Sequence, residues 1–556
     1  MKKSSFKIVM VFLILWVGGC QVPEDLLPSV SREGINSITA TFEDGTGEFI
    51  GYIEEGSNEI IIPIPYYYPV SSNNQVTEEH LSRMRVRANL DDNVTLSPAL
   101  LYMDLTQENI ITVSNQRKEE TDYVVRAEIR KSSEAMIKDF KLPSVGLSGV
   151  INEDTRIISL VSVEEIEPAL AQVTLSHHAT ISPDPSLVEL DYNQEVELTV
   201  TAHDGVTQNV YTVKKEVPNK LPYGIRPGSG KLMFARQLKS DVGISVNNLT
   251  GGLAATTGYI VLNTRGENSV VLDAKSGETI GEIELGAVKG SLTNFYNTAD
   301  DAGNIIINNL APNAGPFKVW KVTGINQAPE QIIEWDGGVA IGRKLSIQGS
   351  LDGDAVITAP IHAAGQQFAK WTVTGGVMSS QTPEIVTMSG LNGWTANVDL
   401  VYTGTNMDSD YFVASYSDNT FAWVDGNTNT VTSALEPISA NFIPNAVDYT
   451  NFNNAGYAVV NWVNSFTWGS ADLVWLLDVS TSATFTGNLD AGTSPAVVWQ
   501  APRNTYGATA VSPVVANANG TGDVAITVSE DGYYLYVYFM FTNGYVVGYQ
   551  FDAIDM

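Results

Sequence analysis

The sequence predicts an all-β chain: two immunoglobulin-like β-sandwiches followed by a β-propeller of six blades, with seven as the alternative count. Three observations carry that prediction. Apolar and polar residues alternate with a period of two, as in Val196-Glu197-Leu198-Thr199-Val200, the pattern of half-buried strands. One arrangement of short strands occurs twice between residues 35 and 217. A different unit of four short strands, with a Trp on the third strand in four copies, then recurs six times to the end of the chain.

Taken in order, residues 1–19 read as a lipoprotein signal peptide. Lys2, Lys3 and Lys7 are basic, and the apolar stretch 8–17 is shorter than the ~20 residues a permanent span needs. Val17-Gly18-Gly19-Cys20 has the form of a lipobox, and Cys20 is the only cysteine among 556 residues. Cys20 is therefore the expected lipidation site, 20–34 is a polar tether, and the mature chain has no disulfide available.

The two sandwiches are placed at 35–131 and 132–219. Each has a short apolar strand, an isoleucine-rich strand (EIIIPIP, then RIISLV) and a closing hairpin whose last strand carries Tyr123 or Tyr211. Modules of roughly 90–100 residues built only of strands and turns suit a sandwich. The propeller is placed at 220–556. KVWKVTG (318–324) and AKWTVTG (369–375) are two copies of its third strand, and Trp320, Trp371, Trp423 and Trp475 share that position. A four-stranded unit repeating at this interval is the blade of a propeller. The sixth unit ends before a fourth strand, and GKLMFARQL (230–238) has no repeat of its own. It is expected to complete the last unit, because an unpaired sheet edge invites aggregation.

The formal charge is −31, and Arg503 is the only Lys or Arg after residue 370. Such a surface repels phosphate backbones and excludes nucleic acid as a partner. No catalytic constellation, cofactor motif or metal set stands out. His177 and His178, read as strand neighbours, face opposite sides and would not share a metal. Asp425, Asn427 and Asn429 have a calcium-like spacing but lack the later ligands of a full loop, so a hairpin turn accounts for them. Asp300, Asp301, Asp352, Asp354, Asp408, Asp410 and Asp531 fall mostly in turns between first and second strands. On a propeller, the loops from second to third strands and those between blades share one face. That face collects Trp394, Trp468, Arg503, Tyr506, Trp499, Trp335 and Arg343 as candidate glycan-binding residues. Flat rings would cover the apolar face of a sugar, and polar groups would take its hydroxyls.

A lipobox, two sandwich modules ending in strands such as HDGVTQNVYTVKKEV, and a propeller-like C-terminal domain together resemble the surface glycan-binding lipoproteins of Bacteroides-type polysaccharide utilisation systems. The resemblance implies a non-catalytic protein, lipid-anchored in the outer membrane at the cell surface. It also implies a role in holding a polysaccharide or oligosaccharide beside a TonB-dependent transporter complex. The alternative is a surface adhesin or assembly protein whose propeller binds protein, and an enzyme would require a carboxylate pair converging in the central pocket. The lipid anchor is directly testable: Cys20→Ala should release the protein from membranes or leave it unprocessed. Unchanged retention with no lipid by mass spectrometry would contradict it.

Overall fold

Alternating apolar side chains need two layers to bury them, and both halves of the chain obtain those layers from strands alone. The computed structural model describes residues 34–115, 117–312, 315–362, 365–418, 420–436, 443–463 and 472–555. Cys20, the expected signal segment 1–19 and Trp468 lie outside them. The fold is all-β, and the chain divides into two units, Met1–Val217 and Pro218–Met556.

The N-terminal unit holds two modules with matching topology. In the first, Ile35–Thr41 lies between Phe49–Ile50 and Met84–Leu90. The facing sheet has Glu59–Pro65 running parallel to Glu120–Arg130, which pairs in turn with Asn109–Ser114. The second module repeats this: Ile157–Val161 runs parallel to Gln208–Glu216, which pairs with Val196–Thr201. Each module closes over its own apolar core, one including Ile38, Ile62 and Tyr123, the other Phe140, Leu198 and Tyr211. The two tyrosines occupy corresponding sites, Tyr123 opposite Ile111 and Tyr211 opposite Leu198, and both are buried. Fully burying a large apolar side chain contributes about 1.5–3 kcal/mol, so these clusters hold the modules without a disulfide.

The C-terminal unit consists of six antiparallel sheets, here I to VI. Their first strands are Thr250–Ala255, Tyr296–Ala299, Ser346–Gly349, Val398–Tyr402, Ile443–Phe452 and Gly522–Val528. Sheets I, II, IV and V each contain four strands in chain order; sheet III adds a split fourth strand, Val377–Met378 and Glu384–Thr387. The first strand of each sheet packs against the first strand of the next, and that of sheet VI packs against that of sheet I. The repeated tryptophans Trp320, Trp371, Trp423 and Trp475 are all buried on third strands, so they serve the packing between sheets.

Sheet VI is completed as the sequence suggests. Lys231–Gln237 pairs antiparallel with Tyr545–Asp552 and supplies its fourth strand. Phe234 anchors this strand opposite Gly548, and a Cβ at Gly548 would meet the Phe234 ring at 2.6 Å. Gly277, in a turn of sheet I at φ +66°, would meet the same ring at 2.3 Å if it carried a Cβ. The ring thus fills space left by two glycines and packs with Leu253, Leu272 and Tyr538, joining sheets VI and I. Phe234→Ala should cost about 3–5 kcal/mol in chemical denaturation. Leu232→Ala, at an exposed position of the same strand, should stay within about 0.5 kcal/mol of the parent. Equal effects would contradict an anchoring role for Phe234.

Candidate functional site

Among the described residues, the sequence-derived set does not form an open aromatic platform. Trp394 is 5% exposed, and its indole N–H donates to the Ile361 carbonyl at 2.9 Å. It packs with Phe368, Leu400 and Tyr411 in the core between sheets III and IV. Tyr506 is 8% exposed, its hydroxyl 3.0 Å from that of Tyr549, beside Phe539. Both are structural, because loop aromatics in tightly packed sheets are drawn inward to fill the space between neighbours. Trp335 is half-buried against Trp371, and Trp499 is half-buried against Tyr549 and Phe551. Arg503 is exposed but ion-paired with Asp490. Trp468 lies outside the described residues. Arg343, also of the expected set, lines a cavity.

That cavity has a volume of about 180 Å³ and lies where the six first strands begin. Gly251, Phe295, Lys344, Asn397, Asn445 and Thr521 stand at or just before the six strand starts, one for each sheet. Arg265, from the loop between the second and third strands of sheet I, and Arg343 complete the charged lining. The Arg265 guanidinium lies 4.6 Å from the centre of the Phe295 ring and donates to the Asn248 carbonyl at 2.9 Å. Arg343 donates to Asn397 Oδ1 at 3.3 Å, while its backbone N–H donates to His362 Nε2 at 3.2 Å. Burial, then the Arg343 charge, pushes the His362 imidazole down to about 4, which keeps it a neutral acceptor. Arg265 and Phe295 do not stand out in the sequence as loop Trp and Tyr do. Their loops nonetheless belong to the face that the strand order had already singled out.

Beneath this cavity the first strands are tied by buried carboxylates. Asp523 of sheet VI accepts from the Leu253 N–H at 2.7 Å, the Tyr296 hydroxyl at 3.1 Å and Lys344 Nζ at 2.7 Å. Asp399 of sheet IV accepts from the Ser346 hydroxyl and the Val447 N–H, linking sheets III and V. Asp448 of sheet V accepts from the Ile526 N–H of sheet VI at 2.9 Å.

A second cavity, of about 420 Å³, lies at the opposite ends of the first strands. Asp448, Asp301, Gln348, Tyr449 and Thr527 are among its lining residues. The turn role of the aspartates is visible here: Asp300 accepts from the N–H groups of Ala302 and Asn304.

In the N-terminal unit, His177 and His178 do not face opposite sides. His178 is left-handed (φ 59°), the chain turns there, and the two rings lie 4.1 Å apart. His203 and Tyr67 pack against His178. No group of His, Cys, Asp or Glu placed to hold a metal occurs among the described residues.

Burial pushes the Asp448 carboxyl up to about 8, and the nearby charges of Asp399 and Asp301 act in the same direction. Because its unfolded value is near ~3.9, the folded state holds a proton that the unfolded state has released. The stabilisation from this group is therefore complete below about pH 4 and is lost as pH rises through about 8. Between about pH 5 and 8 this group should make stability fall with rising pH, by at most ~1.4 kcal/mol per pH unit for one proton, and the fall should level off above about 8. Asp448→Asn should flatten that fall in thermal or urea melts, whatever its effect on absolute stability, and an unchanged slope would contradict the assignment.

Three family models match the chain, each described as a domain of unknown function: DUF5018 over residues 15–127, DUF8499 over 137–215 and DUF8500 over 233–552. No curated protein matches. Among solved structures, the β-propeller domain of Cps50 (Swd1) from Myceliophteria thermophila is similar at 9% identity with a TM-score of 0.30. The match covers 58% of this chain and 89% of that one. Because the match over 233–552 spans more than half of its 556 residues, the chain belongs to the family defined by the Domain of unknown function (DUF8500).

Proposed function

We propose that this chain is a non-catalytic lipoprotein that captures a glycan at the outer-membrane surface for uptake by a TonB-dependent transporter complex. In this reading the C-terminal unit is a six-bladed propeller. The support is the circuit of first-strand packing together with the completion of sheet VI by Lys231–Gln237. The N-terminal modules are immunoglobulin-like and follow a lipid anchor on Cys20 in the chain. Their support is the paired sheets around single cores and the shared strand order.

The observation that favours glycan is the makeup of the cavity at the strand starts. The Phe295 ring and the exposed Leu292 side chain offer apolar surface, while Arg343, Asn397 and Asn519 supply directed polar groups. A ring with a few oriented donors and acceptors is how a polyhydroxylated ligand is both covered and aligned. At about 180 Å³ the cavity is below the ~300–1,000 Å³ of drug-sized sites, so it suits one residue of a longer chain, with the rest lying outside.

Affinity electrophoresis of the chain from residue 21 onward, across a panel of polysaccharides, tests this reading. At least one polymer should retard the protein. Phe295→Ala and Arg343→Ala should each weaken that binding about ten-fold or more, the equivalent of ~1.4 kcal/mol. Retention of full binding by both folded variants would move the site elsewhere. Failure of every polymer to bind would favour a protein-binding adhesin.

A further inference from the structure

The cavity at the strand starts has a charge opposite to that of the chain around it. The formal charge is −31, yet no Asp or Glu lines this cavity, while Arg265, Arg343 and Lys344 do. Lys344 is committed: its ammonium is 7% exposed and is paired with Asp523 at 2.7 Å. The two arginines are half-buried, and among the described residues neither forms an ion pair. Their side-chain hydrogen bonds go to neutral oxygens, of Asn248, Leu249 and Asn397. A guanidinium has five N–H donors, so both retain capacity for a ligand. Burial, followed by repulsion from Arg343, holds the Arg265 guanidinium below its ordinary value, so the two cations share one electrostatic environment. Two partly buried like charges destabilise the empty site, and an anion between them relieves that cost. Planar guanidinium forks also match the oxygens of a carboxylate or sulfate in geometry.

We propose that Arg265 and Arg343 together receive the acidic group of an anionic polysaccharide, a uronate carboxylate or a sugar sulfate, while the same sugar ring rests against Phe295. This rests on the glycan reading above. The acid-binding role falls to two arginines on a cavity wall, whereas the exposed Arg503 is paired with Asp490. The surrounding negative charge does not forbid it, because interactions beyond ~8 Å are largely screened at physiological ionic strength. That charge should instead select against polyanions that cannot seat a group in the cavity.

The test is isothermal titration of the chain from residue 21 onward with matched polymers. These are polygalacturonate and its carboxyl-reduced neutral counterpart, alginate, the sulfated polymer carrageenan, and neutral galactan. At least one acidic polymer should bind about ten-fold or more tightly than the neutral ones, and Arg265→Gln and Arg343→Gln should each remove that advantage. Binding confined to uronate polymers assigns a carboxylate, and binding of carrageenan assigns a sulfate. Should a Gln variant fail to fold, Arg265→Lys and Arg343→Lys keep the charge and lose the planar fork, and they should weaken acidic polymers selectively. Equal binding of neutral and acidic polymers, or of polygalacturonate and its reduced form where either binds, would overturn this proposal and leave glycan capture standing. No binding by any polymer would overturn both.

Discussion

The Asp523 carboxylate holds the centre of the C-terminal unit. It sits on the first strand of sheet VI and is bonded to sheet I through Leu253, to sheet II through Tyr296 and to the entry of sheet III through Lys344. A buried carboxylate survives only with partners, and removing one side of such a pair typically costs about 3–5 kcal/mol because the other charge is stranded. Burial raises the Asp523 carboxyl to about 6 while Lys344 pulls it back down, so the ammonium is what keeps it ionised at neutral pH. Apolar contacts between sheets supply most of the stabilisation, but they are non-directional. The carboxylate ties fix which strand lies beside which, and Asp399 and Asp448 continue the same device around the remaining sheets.

This arrangement accounts for the cavity above it. Lys344 is consumed by Asp523 and turned inward, whereas its neighbour Arg343 faces the cavity lining with Arg265. Asn445 binds inward as well, accepting from the Gly522 N–H at 2.9 Å and so fixing the start of sheet VI relative to sheet V. The polar lining is therefore supported by residues already ordered for structural reasons. A ligand entering there would meet donors whose positions cost little to fix, the usual route to affinity in a small site.

Much of the fold was legible because repetition leaves a periodic trace. The six-fold four-stranded unit, with Trp at the third strand in four of its copies, the paired hairpins ending in Tyr123 and Tyr211, and the lone strand at 231–237 are all local patterns that packing then uses. The site was legible only as a face. Trp394 reads as an exposed loop residue until Ile361, 33 positions earlier, provides a carbonyl for its indole. Tyr506 likewise depends on Tyr549, 43 positions later. No window of sequence contains those partners. The reading of His177 and His178 failed for a different reason: period-two alternation assumes an extended chain, and a left-handed residue at 178 breaks it. Arg265 and Phe295 lay on the right face and were overlooked because an arginine beside a phenylalanine in separate loops has no spacing signature.

One buried carboxylate, Asp523, thus holds the first strands of several sheets at once. Native-state hydrogen exchange on Asp523→Ala measures it directly. Amide protection should be lost in Thr250–Ala255, Tyr296–Ala299 and Gly522–Val528 together, although these segments are far apart in sequence, with the N-terminal unit unchanged. Loss confined to Gly522–Val528, with Thr250–Ala255 and Tyr296–Ala299 protected as in the parent, would contradict it.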